Sequence, residues 1–303
     1  MRKNELLDLL ESVLGSCSGK FPEYIFDCFE CNHHKKKLCV NLNKKLFHCW
    51  VCEFKGNLRY LVKNRDRSKL QEYDSLVGYK NKNVIESDIS VRLPFEYKTF
   101  IDSGNCFNSK NAFSYLNKRG INYYDIVRYN VGFATSGSYS NRIIFPSFDG
   151  DGKLNYFVGR TFYEDDKRAK YKNEKIPRGD VIFNEHLIDW SKPIILTEGI
   201  FDSIIAGQNS IPLLGSLLSI RSKLYKKIIL KKPIVYLALD TDAYDKSIKI
   251  MKKLIKNDIT VHFVDLRPYN DINECGKHVF ENKLKHSESL TMLEIVQAEL
   301  AML

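Results

Sequence analysis

Apolar positions along this 303-residue chain change their period several times. Near the N-terminus, residues 38–48 alternate apolar and polar side chains around Asn43-Lys44-Lys45, which predicts a β-hairpin. Past Tyr60 the chain turns polar, and residues 80–90 have neither period nor apolar density, as in a tether. Helical spacing resumes over 111–132, where Phe113, Leu116, Ile121, Ile126, Val127 and Val131 face one core. Residues 142–148 and 154–160, joined through Asp149-Gly150-Asp151-Gly152, form a second predicted hairpin. From Pro193 the order reads strand, helix, helix, strand, helix, strand, with 259–264 as the third strand, which predicts a parallel sheet with right-handed crossovers. A final helix over 287–303 carries Leu290, Leu293, Val296, Leu300 and Leu303 on an apolar stripe. The chain divides accordingly into an N-terminal domain (1–79), a linker (80–95), a basic mixed αβ subdomain (96–190), a parallel-sheet subdomain (191–280) and a C-terminal helix (281–303). Its class is multidomain, α/β together with α+β.

Two of the predicted parallel strands end abruptly in acids. Ile194-Ile195-Leu196-Thr197 runs into Glu198-Gly199-Ile200-Phe201-Asp202, and Ile234–Leu239 runs into Asp240-Thr241-Asp242. Parallel strands deliver Glu198, Asp240 and Asp242 to the same C-terminal sheet edge, where open α/β sheets place their sites. Carboxylates crowded there repel one another unless a cation sits between them, and hard oxygen ligands suit Mg²⁺ or Mn²⁺. Asp240-x-Asp242 on an extended segment points both side chains to one ion. Glycine at position 199 lets the strand-to-helix turn fold sharply. Taken singly, Asp202 or Asp242 reads equally as a helix N-cap.

Cys28-Phe29-Glu30-Cys31 and Cys49-Trp50-Val51-Cys52 are two C-x₂-C knuckles separated by residues 32–48, the spacing of a Cys₄ Zn²⁺ site. With the 38–48 hairpin carrying the second knuckle, the layout is a zinc ribbon, one structural Zn²⁺ per chain. The competing readings are reduced core cysteines, or His33 or His34 replacing Cys31; Cys39 reads as a packed small side chain. Around the knuckles, Lys35, Lys36, Lys37, Lys44, Lys45, Trp50, Phe54, Lys55 and Arg59 interleave charge with aromatics, as single-stranded nucleic acid requires, or as a solvated face would also show. Gly15–Phe21 imitates a Walker A loop but is one residue short and ends in Phe where Ser or Thr is needed.

With 47 Lys and Arg against 37 Asp and Glu, the net charge of +10 favours a polyanionic partner. Arg160 leaves a strand end beside Lys167, Arg168, Lys170, Lys172 and Lys175, a cluster able to hold triphosphates or a template backbone. Met1–Glu5 runs into an amphipathic stretch containing acids, so no secretory signal is expected, and no apolar run reaches bilayer length. Eight cysteines without an export signal point to a reducing cytoplasm and to metal ligands before disulfides.

Leu116-Asn117-Lys118-Arg119-Gly120-Ile121, Arg142-Ile143-Ile144-Phe145-Pro146, Val158-Gly159-Arg160, Lys170-Tyr171-Lys172-Asn173, Thr197–Asp202 and Asp240-Thr241-Asp242 follow the Cys₄ ribbon in order. Together they resemble a DnaG-type DNA primase in a bacteriophage version, over nearly the whole chain. The resemblance implies a zinc domain that helps select template, and a polymerase core whose TOPRIM sheet carries Mg²⁺ or Mn²⁺. It implies synthesis of short RNA primers on single-stranded DNA from ribonucleoside triphosphates, alongside a separate replicative helicase, in the cytoplasm of the host if phage-encoded. Arg142, Arg160, Lys170, Tyr171 and Asn173 would line the template and nucleotide groove. Asp240 and Asp242 would be metal ligands, Glu198 a ligand or general base, and Asp202 and Asp271 would serve a second ion or support the first. Three features depart from the family. Asp271-Ile272-Asn273-Glu274 stands where the family has Asp-Pro-Asp-Glu, Glu185 stands near a family lysine, and a single helix that packs on its own core or docks a helicase follows the core in place of a long helicase-binding domain. The alternative is a zinc and TOPRIM recombination mediator that clamps DNA without catalysis; the segment from Arg160 to Asn173 argues against it.

Overall fold

In a computed structural model the described residues are 2–31, 33, 35–52, 54–78, 91–101, 107–163, 168–215 and 218–300. The tether at 80–90, His34 and Lys167 lie outside them. The chain forms two compact units, Met1–Asp88 and Ile89–Leu303.

In the first unit, α1 (Arg2–Leu14) leads into an antiparallel meander of five strands, β1 (Ser18–Lys20), β2 (Glu23–Phe26), β3 (Leu38–Asn41), β4 (Leu46–Cys49) and β5 (Lys55–Asn57). α2 (Leu58–Arg65) and α3 (Leu70–Val77) follow. The predicted hairpin is β3–β4, with Leu38 opposite Cys49 and Lys45 turning the chain at φ 54°. Leu9, Leu10, Phe26, Leu38, Val40, Leu58, Leu61 and Tyr73 close the core from all three helices and the sheet. Gly19 of the Walker-like stretch lies in β1 at φ +116°, where a Cβ would come 2.6 Å from the Glu23 carbonyl oxygen. That glycine serves strand pairing, so the phosphate-loop likeness is coincidental. Arg59, expected on the nucleic-acid face, instead makes a two-pronged ion pair with Asp74 at 2.7 and 2.8 Å and ties α2 to α3.

The second unit begins with β6 (Tyr97–Thr99), α4 (Phe107–Lys118), α5 (Tyr123–Arg128) and β7 (Gly132–Ala134). The predicted long hairpin is β8 (Arg142–Phe148) with β9 (Leu154–Thr161), and β10 (Tyr171–Asn173) pairs with β9. These strands make an antiparallel sheet in the order β10-β9-β8-β7-β6. A parallel sheet follows: β11 (Ile194–Thr197), α6 (Ile200–Ala206), β12 (Ser210–Pro212), α7 (Lys223–Lys231), β13 (Val235–Ala238), α8 (Tyr244–Ile255) and β14 (Val261–Phe263), with strand order β12-β11-β13-β14. The three expected strands are present; β12 is additional, and at three residues it carries no period to read. Helix α6 joins the sheets, because Ile200, Phe201 and Ile204 are buried among Phe145, Val158 and Phe162 of the antiparallel half. No helix among the described residues is long and apolar enough to cross a membrane.

α9 (Ile272–Cys275), α10 (Lys277–Lys285) and α11 (Met292–Leu300) complete the chain. The expected apolar stripe is out of phase with the packing. Ile295 is 1% exposed in the parallel-sheet core, whereas Leu293 is 68% and Val296 38% exposed. The offset arises because Leu290 is still in extended chain, where the Leu290 amide donates to the Val261 carbonyl at 3.0 Å, so the helix starts later than the stripe assumes. Leu303 and the side chain of Leu300 lie outside the described residues. Ile295→Ala should therefore cost about 2–5 kcal/mol in urea unfolding, the usual range for emptying a core site, while Leu293→Ala should change stability by less than about 0.5 kcal/mol.

Candidate active site and metal centre

The first unit holds a metal centre. Cys28 and Cys31 follow β2, Cys49 ends β4, and Cys52 lies in the turn to β5. Backbone N–H groups of Glu30 and Cys31 donate to the Cys28 sulfur, and those of Val51 and Cys52 to the Cys49 sulfur. Each knuckle thus presents its leading sulfur in the same manner. The sulfurs lie 3.7 Å apart for Cys28 and Cys52 and 3.9 Å for Cys31 and Cys49. A tetrahedron of Zn–S bonds near 2.3 Å has edges of about 3.8 Å, so the four thiolates fit Zn²⁺. Among the described residues this is the one His, Cys, Asp and Glu group whose ligand atoms all lie within 4.8 Å of one another. His33 Nδ1 accepts from the Lys35 amide at 3.1 Å within its own turn, and the cysteine set is complete without it.

In the second unit a cleft of about 370 Å³ opens between the two sheets. Its acidic wall is Glu198, Asp202, Asp240 and Asp271, and its cationic wall includes Arg119 and Arg178. Glu198 follows β11, and Asp202 sits in the first turn of α6 with 8% exposure. At Gly199 the backbone is extended, with φ −119°, so no special backbone freedom is needed there. The glycine is needed for space: a Cβ would meet the Asp202 carboxylate at 2.9 Å. Burial, and then the neighbouring Asp271, push the Asp202 carboxyl up to about 6. Asp240 is pushed up to about 7, by burial and then by Asp202, Glu198, Asp271 and Asp242. One oxygen of Glu198 (Oε2) and one of Asp202 (Oδ1) are buried without a hydrogen-bond partner. Lys246 Nζ, from the first turn of α8, holds the other Glu198 oxygen at 2.8 Å.

Asp242 departs from expectation. Asp240 caps a short 3₁₀ turn over Thr241–Ala243, so the segment is not extended and Asp242 is exposed outside the cleft lining, within electrostatic reach of Asp240. Asp271 caps α9 by accepting from the Glu274 amide at 2.7 Å. Asn273, the amide in place of a carboxylate, donates to the Arg119 carbonyl at 2.6 Å and accepts from the Arg119 guanidinium at 3.5 Å. That guanidinium also lies 5.4 Å from the Phe201 ring and 5.7 Å from the Tyr115 ring, so it is held from three sides.

The expected groove residues separate into two groups. Tyr171 and Asn173 line the cleft. Arg160 backs it, stacking 4.7 Å over Tyr171 and donating to the Tyr115 hydroxyl at 3.0 Å. Arg142 does not reach it: at 2% exposure, its guanidinium donates to the carbonyls of Gly159, Ala169 and Lys170 at 3.4, 2.7 and 3.1 Å. Burying a guanidinium requires such partners, and here they fasten the chain that returns to β10. The Lys170 side chain is exposed and outside the cleft lining. Glu185, near a family lysine position, pairs with Lys227 at 2.9 Å and also lies outside that lining. Sequence reading missed Arg119, Arg178 and Lys246; Arg119 stands inside a motif already marked, and Lys246 falls four residues after Asp242, in the first turn of α8.

No protein-family model matches the chain. In sequence it is similar to the DNA primase of Helicobacter pylori, 24% identical over 89% of this chain and 58% of that one. It is also similar to the DNA primase of Mycoplasma genitalium, 23% identical over 87% of this chain and 45% of that one. The chain thus spans about half the length of the curated relatives it matches. In structure it resembles the zinc-binding and RNA polymerase domains of the Aquifex aeolicus primase, with a TM-score of 0.51 at 17% identity over 94% of this chain and 84% of that chain. A DNA primase domain from Pseudomonas aeruginosa gives 0.54 at 19% identity over 68% and 80%. The fold is that of DnaG-type primase zinc-binding and RNA polymerase domains, and the resemblance drawn from the motifs agrees with it.

Two outcomes are expected. The purified protein should contain one Zn²⁺ per chain by elemental mass spectrometry, and Cys49→Ser should lose it and expose the amides of residues 24–60 to hydrogen exchange. The second concerns pH. A carboxyl raised from 3.8 to about 7 binds its proton more tightly folded than unfolded, so Asp240 supports stability below pH 3.8 and that support is lost as pH rises through 7. In buffer free of divalent ions, Asp240→Asn should lose less thermal stability than the parent between pH 5 and 8, measured by calorimetry.

Proposed function

We propose that the chain is a DNA primase that copies single-stranded DNA into short RNA primers from ribonucleoside triphosphates. The observation that carries this reading is the cleft, in which an acidic sheet edge faces Arg119, just after α4, and Arg178, at the start of a 3₁₀ turn. Buried carboxylate oxygens without partners, and carboxyls raised by burial and then by mutual repulsion, fit a site for Mg²⁺ or Mn²⁺. Such ions, when bound, supply Lewis-acid stabilisation of the attacked phosphate and the departing pyrophosphate. Glu198, Asp202, Asp240 and Asp271 offer the oxygens, with Asp242 contributing from the rim and Glu198 serving as ligand or proton acceptor. Arg119 and Arg178 suit the triphosphate, since each is already fixed: Arg119 by Asn273 and two rings, Arg178 by the Leu214 carbonyl at 2.5 Å. Tyr171, backed by Arg160, offers a flat face for a base. In the zinc unit, Trp50 is 69% exposed beside His48, Lys44 and Lys55, a surface suited to template contacts. A separate replicative helicase and the cytoplasm complete the setting.

The test is incubation with single-stranded DNA, labelled ribonucleoside triphosphates and Mg²⁺. Short RNA products are expected from the parent, and Asp240→Asn should reduce dinucleotide formation by more than about a hundredfold while DNA binding persists, because metal assistance is worth several kcal/mol. DNA binding with no product from the parent would instead favour the non-catalytic mediator.

A further inference from the structure

We infer that Lys246 is a built-in counterion of the candidate site, occupying one oxygen of Glu198 and setting how strongly the acidic wall takes a divalent cation. The inference rests on the catalytic reading of the cleft only in its choice of ion. Lys246 Nζ stands 2.8 Å from Glu198 Oε1, and the two side chains are 16% and 25% exposed. An ion pair this enclosed is screened far less than a surface pair. The other Glu198 oxygen is buried and lacks a partner, so the ammonium holds the carboxylate by one oxygen and leaves the second without a donor. The position is fixed by the fold. Glu198 follows β11, Lys246 lies in the first turn of α8 after β13, and β11 and β13 are hydrogen-bonded neighbours, so the two side chains meet over adjacent strand ends.

A unit positive charge against one ligand of a divalent site both competes for that ligand and repels the ion. Without it, Glu198, Asp202, Asp240 and Asp271 would present their charge undiluted, and a cation would bind at lower concentration. The ammonium therefore raises the ion concentration needed, and it keeps Glu198 oriented in the meantime. Lys246 is a positioning residue on this account, with no contact to substrate required.

The experiment measures Mn²⁺ binding directly, on the zinc-loaded full chain, from the electron paramagnetic resonance signal of free Mn²⁺. Lys246→Met should bind Mn²⁺ about three- to tenfold more tightly than the parent, as expected for removing a nearby like charge in a partly screened site. Lys246→Arg, which keeps the charge, should bind as the parent does. In Glu198→Gln, adding Lys246→Met should produce a smaller change than it does in the parent, because the shared ligand is gone. Thermal melts serve as a fold check, and the rise in Tm on adding Mn²⁺ should be larger in Lys246→Met than in the parent. Unchanged or weaker Mn²⁺ binding in a folded Lys246→Met, or tighter binding in Lys246→Arg, overturns the inference. Tighter binding in Lys246→Met from a protein that makes no primers would leave it standing while removing the primase reading.

Discussion

Helix α6 is gripped on both sides, and the geometry of the cleft depends on that grip. Ile200, Phe201 and Ile204 are buried in the core shared with the antiparallel sheet, while Ile205 is buried in the core on the other side with Ala238, Val264 and Leu266. Successive helical residues turn by about 100°. With those four positions committed to two cores, Asp202 is left facing the cleft, and its buried carboxyl must accept a high proton affinity. The helix is only seven residues long, too short to be stable by itself, so packing dictates its position. The distance between the acidic sheet edge and the arginines opposite is thus set by apolar contacts that touch neither.

That arrangement gathers repelling carboxylates inside a chain of net charge +10. Local charges offset part of the repulsion. Lys246 takes one oxygen of Glu198, Asp271 spends an oxygen on the Glu274 amide, and the backbone N–H of Asn273 donates to Asp202. The replacement of a carboxylate by Asn273 belongs to the same balance. An amide adds no charge beside Asp202, and it can donate to the Arg119 carbonyl while accepting from its guanidinium, which a carboxylate could not do with both groups.

The readable parts of the sequence were those where one local pattern has one physical solution. Two C-x₂-C knuckles bracketing an alternating hairpin leave four sulfurs little choice but to converge, and apolar runs ending in acids place those acids at a strand end. The unreadable parts needed partners distant in sequence. β1, β5 and β12 are three residues each and exist through pairing, with no periodicity of their own. Asp242 was expected to share the direction of Asp240 on extended chain, but a 3₁₀ turn intervenes because Asp240 starts a helical region. In α11 the period was correct and the phase was not: Leu290 is held by Val261, and only tertiary pairing could show that the helix begins beyond it. Arg119 and Lys246 carry no spacing signal, since each meets its partner across elements.

Arg142 shows how a motif can be meaningful for another reason than the one assumed. An arginine opening a strand in a basic segment suggests contact with phosphate, yet its guanidinium is buried and donates to three carbonyls, two of them at 169 and 170. Those two residues immediately precede β10, and β10 carries Tyr171 and Asn173 into the cleft. Lysine could not replace it, because a single ammonium cannot fan its donors across carbonyls of β9 and of the segment leading into β10 as a planar guanidinium does. The residue therefore acts on the cleft one step removed, by fixing the path of the chain that lines it, and a pattern of basic residues around a site mixes such struts with true contacts that only the folded backbone separates.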